Sequence, residues 1–120
     1  MAKKKTPAEY LAELTNLGGV NAATIIGRDG FVIENSSKTE IDLDALGAVV
    51  STGFGSSEVM GTEIGMGALT QTIMEYDSGK ILMAACGEDA MLTVVTDGQA
   101  ILGNIRHNMK KIIAELAKII

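Results

Sequence analysis

Apolar residues fall at three- and four-residue intervals in three stretches of this chain and cluster in short runs between turn signals in five others, and the order of these patterns predicts the fold. Tyr10, Leu11, Leu14 and Leu17 make one apolar stripe of a short amphipathic helix. Thr6-Pro7-Ala8-Glu9 precedes it as a capping box: the Thr6 hydroxyl can accept from the Glu9 amide, Glu9 can return a bond, and Pro7 takes the first helical position. Gly18-Gly19 offers a left-handed stop. Ala22 to Gly27 is a compact apolar segment and Phe31-Val32-Ile33 resumes it, with Asp29-Gly30 read as a two-residue hairpin turn.

Thr39 to Asp44 holds several helix caps, and from Leu43 onward Leu46, Gly47, Val50 and Phe54 project to one side of a second helix. Gly47, Gly53, Gly55 and Gly61 each cost about 1 kcal/mol relative to Ala in a helix interior, so packing has to compensate or the helix breaks around Gly53-Phe54-Gly55. The side opposite Leu46 and Val50 carries Ala45, Ala48, Thr52, Ser56 and Val59, flanked by Val49 and Met60, a mostly small-residue surface that allows close helix approach. Leu69 to Tyr76, Lys80 to Cys86 and Met91 to Thr96 read as a three-stranded meander turned by Asp77-Ser78-Gly79 and Gly87-Glu88-Asp89. Asp97 is placed to cap a last helix whose apolar face is Ile101, Leu102, Ile105, Met109, Ile112, Ile113 and Leu116. The order α-β-β-α-β-β-β-α suits one largely antiparallel sheet with helices over its faces, formed by residues 1–120 as a single domain with 1–5 as a flexible tail.

Composition narrows the function. The chain is 47% hydrophobic but only 3% aromatic, lacks Trp and carries a net charge of -5, which leaves few stacking platforms and opposes phosphate backbones. No nucleic-acid partner is expected. The one basic run, Lys3-Lys4-Lys5, reads as a solvated tail, and Thr6, Pro7 and Glu9 follow it where a signal peptide would place an apolar run. Gly, Asp, Glu or Lys punctuates every hydrophobic segment, so no membrane insertion is expected. A lone cysteine, Cys86, fits a reducing compartment, and the cytoplasm is the expected location.

Catalytic chemistry finds few residues to use. His107 is the only histidine and its helical spacing turns it away from Ile105, Met109 and Ile112, toward the side of Lys111 and Lys118. One His and one Cys cannot make a zinc set, and Cys86 reads as a small apolar residue near a strand end, not as a nucleophile. Gly53-Phe54-Gly55 opens like a dinucleotide fingerprint, but Glu58 stands at the third glycine position and the run lies inside a helix. Gly79-Lys80 lacks the upstream Gly and the following Ser or Thr of a phosphate loop. Asp42, Asp44, Glu58 and Glu63 read as cap and solvated helix positions. No cofactor, metal or catalytic residue is expected, and the chain is read as non-enzymatic.

Three parts of the sequence together resemble the roadblock/dynein light chain family, which includes bacterial and archaeal MglB-type regulators of Ras-like GTPases. They are Gly19-Val20 running into Ala23-Thr24-Ile25-Ile26-Gly27-Arg28-Asp29-Gly30-Phe31-Val32-Ile33, the Asp44-Ala45-Leu46 helix start, and the pattern from Leu69 through Glu75, Gly79 and Ile81-Leu82. The resemblance implies an α/β sandwich with a five-stranded antiparallel sheet, the first and last helices on one face and the middle helix on the other. It also implies a homodimer in which middle helices pair and third strands join the two sheets, so Ala45, Ala48, Val49, Thr52, Ser56, Val59 and Met60 with Gln71, Ile73 and Glu75 are the expected interface. A small Ras-like GTPase is the implied partner, and modulation of its nucleotide cycle without an arginine finger the implied activity. Two other classes stay open: a structural adaptor in a larger complex, and a small-ligand sensor whose pocket some of the seven Met residues line.

Overall fold

The computed structural model describes residues 4–120, in the order α1 (Pro7–Thr15), β1 (Val20–Gly27), β2 (Val32–Ser37), α2 (Leu43–Glu63), β3 (Gln71–Tyr76), β4 (Gly79–Cys86), β5 (Ala90–Thr96) and α3 (Leu102–Leu116). The five strands form one antiparallel sheet in the order β2-β1-β5-β4-β3, so β2 and β3 are its edges. Period-2 alternation sends each strand's side chains to two layers. Ala23, Ile25, Leu82, Leu92 and Val94 meet Leu11 and Leu14 of α1 and Ile105, Met109, Ile112 and Leu116 of α3 in one core. Ile26, Met83 and Met91 meet Val50 and Phe54 of α2 in a smaller one. Two helices therefore cover one face and one helix the other, the arrangement that the resemblance implies.

Local chemistry sets the element boundaries. The capping box of α1 is complete: the Glu9 amide donates to the Thr6 hydroxyl at 3.2 Å, and the Thr6 amide donates to the Glu9 carboxylate at 3.1 Å. The helix ends earlier than its glycines suggest, at Asn16 in a right-handed conformation, and Gly19 leads into β1. The Lys5 ammonium pairs with Glu13 at 2.9 Å and lies 5.6 Å from the centre of the Tyr10 ring. The remainder of the expected tail, Met1 to Lys3, lies outside the described residues.

Three further expectations are corrected. The β1–β2 loop holds three residues, Arg28-Asp29-Gly30, closed by Gly27 N–H to the Phe31 carbonyl at 2.8 Å, with Gly30 at φ +89° and the Asp29 carboxylate accepting from the Phe31 amide at 3.0 Å. A positive φ at the third loop position is what a three-residue hairpin asks of glycine. Asp97 does not cap α3. Its carboxylate accepts from the Gln99 amide at 2.8 Å, and the helix starts after Ile101 with no side-chain cap. β3 begins at Gln71, while Leu69, expected in the strand, packs against the α2 core.

α2 runs unbroken through Gly53-Phe54-Gly55 because Phe54 is fully buried against the sheet. Burial of a phenylalanine contributes about 1.5–3 kcal/mol, enough to offset the weak propensity of its flanking glycines. Asp42 caps the helix, its carboxylate accepting from the Ala45 amide at 3.1 Å. At Gly47 the helix presses on the hairpin: a Cβ there would stand 2.1 Å from the Gly30 carbonyl oxygen. No helix among the described residues is long and apolar enough to cross a membrane.

Candidate interaction surface

The outer face of α2 leaves a run of apolar side chains uncovered. Ala45, Ala48, Val49, Thr52, Ser56, Val59 and Met60 are all exposed, and the apolar strip continues past the helix end through Ile64, 70% exposed, and Met66, 75% exposed. Patches of large apolar side chains on a small protein mark surfaces that take a partner. The hydroxyls do little to make this face polar. Thr52 donates to the Ala48 carbonyl at 2.9 Å, and Ser51 to the same carbonyl at 3.1 Å, which turns both donors inward along the helix.

A groove of about 490 Å³ joins this face to the β3 edge, lined by Met60, Gly61, Ile64 and Met66 on one side and Leu69, Thr70 and Thr72 on the other. The Thr72 hydroxyl is buried in it without a hydrogen-bond partner, as is that of Thr93 deeper in the sheet. Among the methionines, Met83 and Met91 are core residues, and Met60 and Met66 line this groove.

The strand residues expected at the interface do not share this face. Gln71 and Ile73 pair with Ala84 and Leu82, whose side chains belong to the α1/α3 core, so Gln71, Ile73 and Glu75 point to the α1/α3 side. Thr72, Met74 and Tyr76 alternate toward α2. The backbone edge of β3 is common to both sides and has no partner strand beyond it among the described residues.

Arg28 and Glu58 brace the helix against the hairpin. Their ion pair links the β1–β2 loop to the C-terminal third of α2, so Glu58 is not the solvated carboxylate its helical position suggests. The Arg28 guanidinium also donates through Nε to the Glu88 carbonyl at 3.0 Å and lies 5.6 Å from the centre of the Phe54 ring. These contacts hold Arg28 in the framework of the fold. They link residues far apart in sequence, which no spacing rule could pair.

A second groove, of about 630 Å³, opens on the α1/α3 side between α3 and the start of β3 and is lined by Thr70, Gln71, Arg106, His107 and Lys110 with the apolar Met109 and Ile113 below. With the Gln71 amide turned so that its oxygen faces α3, Arg106 donates to it through Nη2 at 2.7 Å and Nε at 3.2 Å. His107 is exposed, as its helical position implies, and lies beside these cations. Cys86 is fully buried at the end of β4, and burial pushes its thiol up to about 11 from an ordinary 9.0. Among the described residues no group of His, Cys, Asp and Glu is placed to hold a metal ion.

Comparison with known proteins agrees with this architecture. An uncharacterized protein of Methanocaldococcus jannaschii is 41% identical over 101 residues, covering 84% of this chain and 88% of its own. The gliding protein MglB of Thermus thermophilus superposes with a TM-score of 0.86 at 22% identity, over 98% of this chain and 93% of that one. A second MglB structure, described as having a tetrameric arrangement, gives the same TM-score of 0.86 at 22% identity over 98% and 93% of the two chains. At such identity these two show the shared fold alone. The Roadblock/LC7 domain model matches residues 8–96, from the first turn of α1 to the end of β5, and the chain belongs to that family.

Proposed function

We propose that the chain is a non-enzymatic, cytoplasmic homodimer that docks a small Ras-like GTPase and modulates its nucleotide cycle. The observation that carries the docking is the uncovered apolar face of α2, continuous from Ala45 to Met66 and joined by a groove to the free edge of β3. Pairing of two α2 faces and two β3 edges about a two-fold axis buries both liabilities at once and leaves a composite surface for a partner. The GTPase rests on membership of the Roadblock/LC7 family and on the MglB fold. The contacts that hold Arg28 argue against its insertion into a partner and support an effect on hydrolysis through remodelling of that partner.

The test is capture of the purified dimer by a Ras-like GTPase encoded beside its gene, loaded in turn with GDP and with a non-hydrolysable GTP analogue. Binding to at least one form is expected. A folded dimer that binds neither form removes the GTPase reading. A structural adaptor is the second reading, favoured by the unpaired β3 edge, which can take an extended segment of another protein as a sixth strand.

A further inference from the structure

The groove between α3 and β3 concentrates positive charge in a chain whose net charge is -5. Arg106, His107 and Lys110 line it and no carboxylate does; Arg106 is met only by the neutral amide of Gln71, and Lys110 has no partner among the described residues. The groove adjoins the first residue of the free β3 edge, so whatever pairs with that edge passes its mouth.

The pairing geometry limits what arrives there. Residues directly opposite each other in an antiparallel pair lie on the same face of the sheet. A two-fold axis through two β3 edges therefore passes through a residue pair, not between residues, and near the middle of the strand that residue is Ile73 or Met74. Centred on Ile73, the pairing sets Gln71 opposite Glu75 of the second copy; centred on Met74, it sets Gln71 opposite Asp77 of the second copy. The first register brings a carboxylate to the α1/α3 side beside Arg106; in the second the carboxylate comes from the turn that follows the strand. Glu75 is free to serve, since its side chain is 76% exposed and its one ion pair, to Lys80, is stretched to 3.8 Å.

We propose that each α3–β3 groove, through Arg106 and Lys110, receives Glu75 or Asp77 from the second copy's edge strand, making two symmetrical ion pairs that fix the register of the joined sheet. The pairing rests on the homodimer argued above. Its occupant is a second copy of this chain, chosen by charge complementarity and by the face on which the carboxylate must lie.

Reversing the charges tests it in two chains. One carries Arg106→Glu and Lys110→Glu, the other Glu75→Lys and Asp77→Lys. Each homodimer then faces like charges twice, and its dissociation constant is expected to rise about tenfold or more. Mixed, the two chains restore both attractive pairs, and native mass spectrometry should find mostly heterodimer where random pairing gives about half. Single swaps at Glu75 and Asp77 then tell the two registers apart. Should a reversed chain fail to fold, Arg106→Gln reads the same contact: its dimer is expected to be weaker than wild type and less sensitive to salt. Random mixing, or an Arg106→Gln dimer with unchanged affinity and salt dependence, overturns the pairing while the dimer stands. A wild-type chain that sediments as a monomer at every concentration removes the dimer and the pairing with it.

Discussion

Adding one methyl group at two glycines of α2 should move stability in opposite directions. In isolation Gly→Ala strengthens a helix interior by about 1 kcal/mol. At Gly53 a Cβ meets nothing within 4 Å, so that gain should appear in full for the isolated fold. At Gly47 the same Cβ stands 2.1 Å from the Gly30 carbonyl oxygen, and ordinary contact begins near 3.4 Å, so helix and hairpin must part by about 1 Å. The hairpin cannot simply swing away. Its loop is closed by two backbone hydrogen bonds and tied to the same helix by the Arg28–Glu58 pair, while Val50 and Phe54 hold α2 down on the sheet. Overpacking of this kind costs about 1–3 kcal/mol, so after the propensity gain Gly47→Ala should be neutral to about 2 kcal/mol destabilising. In thermal melts at low protein concentration Gly53→Ala should lie a few degrees above wild type and Gly47→Ala at or below it. If Gly47→Ala gains as much as Gly53→Ala, the helix does not seat on the hairpin as described and the reasoning fails.

Ala48→Arg, at the centre of the exposed α2 face, should raise the dimer dissociation constant by tenfold or more in sedimentation experiments without lowering helix content, since it places bulk and charge between apposed helices; an unchanged dimer means that another face pairs. Cys86 should react with a thiol reagent only on unfolding, and its ionisation should tilt the alkaline limb of stability. The unfolded thiol ionises near 9.0 and the buried one near 11, so below pH 9 both states are neutral and between those values the unfolded chain alone loses the proton, lowering stability as pH rises. Cys86→Ala should flatten that slope, and an identical slope in the variant would count against burial as its cause.

Much of the fold was legible because its signals are local. The Thr6 to Glu9 capping box, the Asp42 cap and the apolar runs of β4 and β5 between their turns are each decided within a few residues, and the structure repeats them. Two of the expectations that failed depended on residues far along the chain. Asp97 looks like a cap for α3, but its amide donates to the Gly19 carbonyl at 2.8 Å, which fixes it at the mouth of β1. Glu58 sits on a helix as a solvated acid would, yet the hairpin brings Arg28 to it. On β3 the sequence Gln71 to Tyr76 has apolar residues on both faces, Ile73 and Met74, so alternation could not say which side chains join α2. Arg106 and Lys110 stand four apart on one helix, a spacing that only says they are neighbours; the meeting with Gln71 needs the sheet.

α2 shows why folding and assembly should be coupled in this chain. Gly53 and Gly55 have no neighbour within 4 Å that would explain a missing side chain, so each weakens the helix by about 1 kcal/mol without any return inside the protomer. Val49, Val59, Met60, Ile64 and Met66 stand in water at 59–75% exposure on the same helix and its end. A protomer alone carries both penalties, and in the proposed dimer a second copy laid along the face would bury those apolar side chains and so offset the weak helix propensity. Stability gained this way is concentration-dependent, as it is for any state that binds a partner only when folded. Wild-type melting temperature should therefore climb with protein concentration, while that of Ala48→Arg should begin to climb only at concentrations about tenfold or more higher, and it is this displacement, more than the absolute stability of either chain, that separates an interface from a merely exposed helix face.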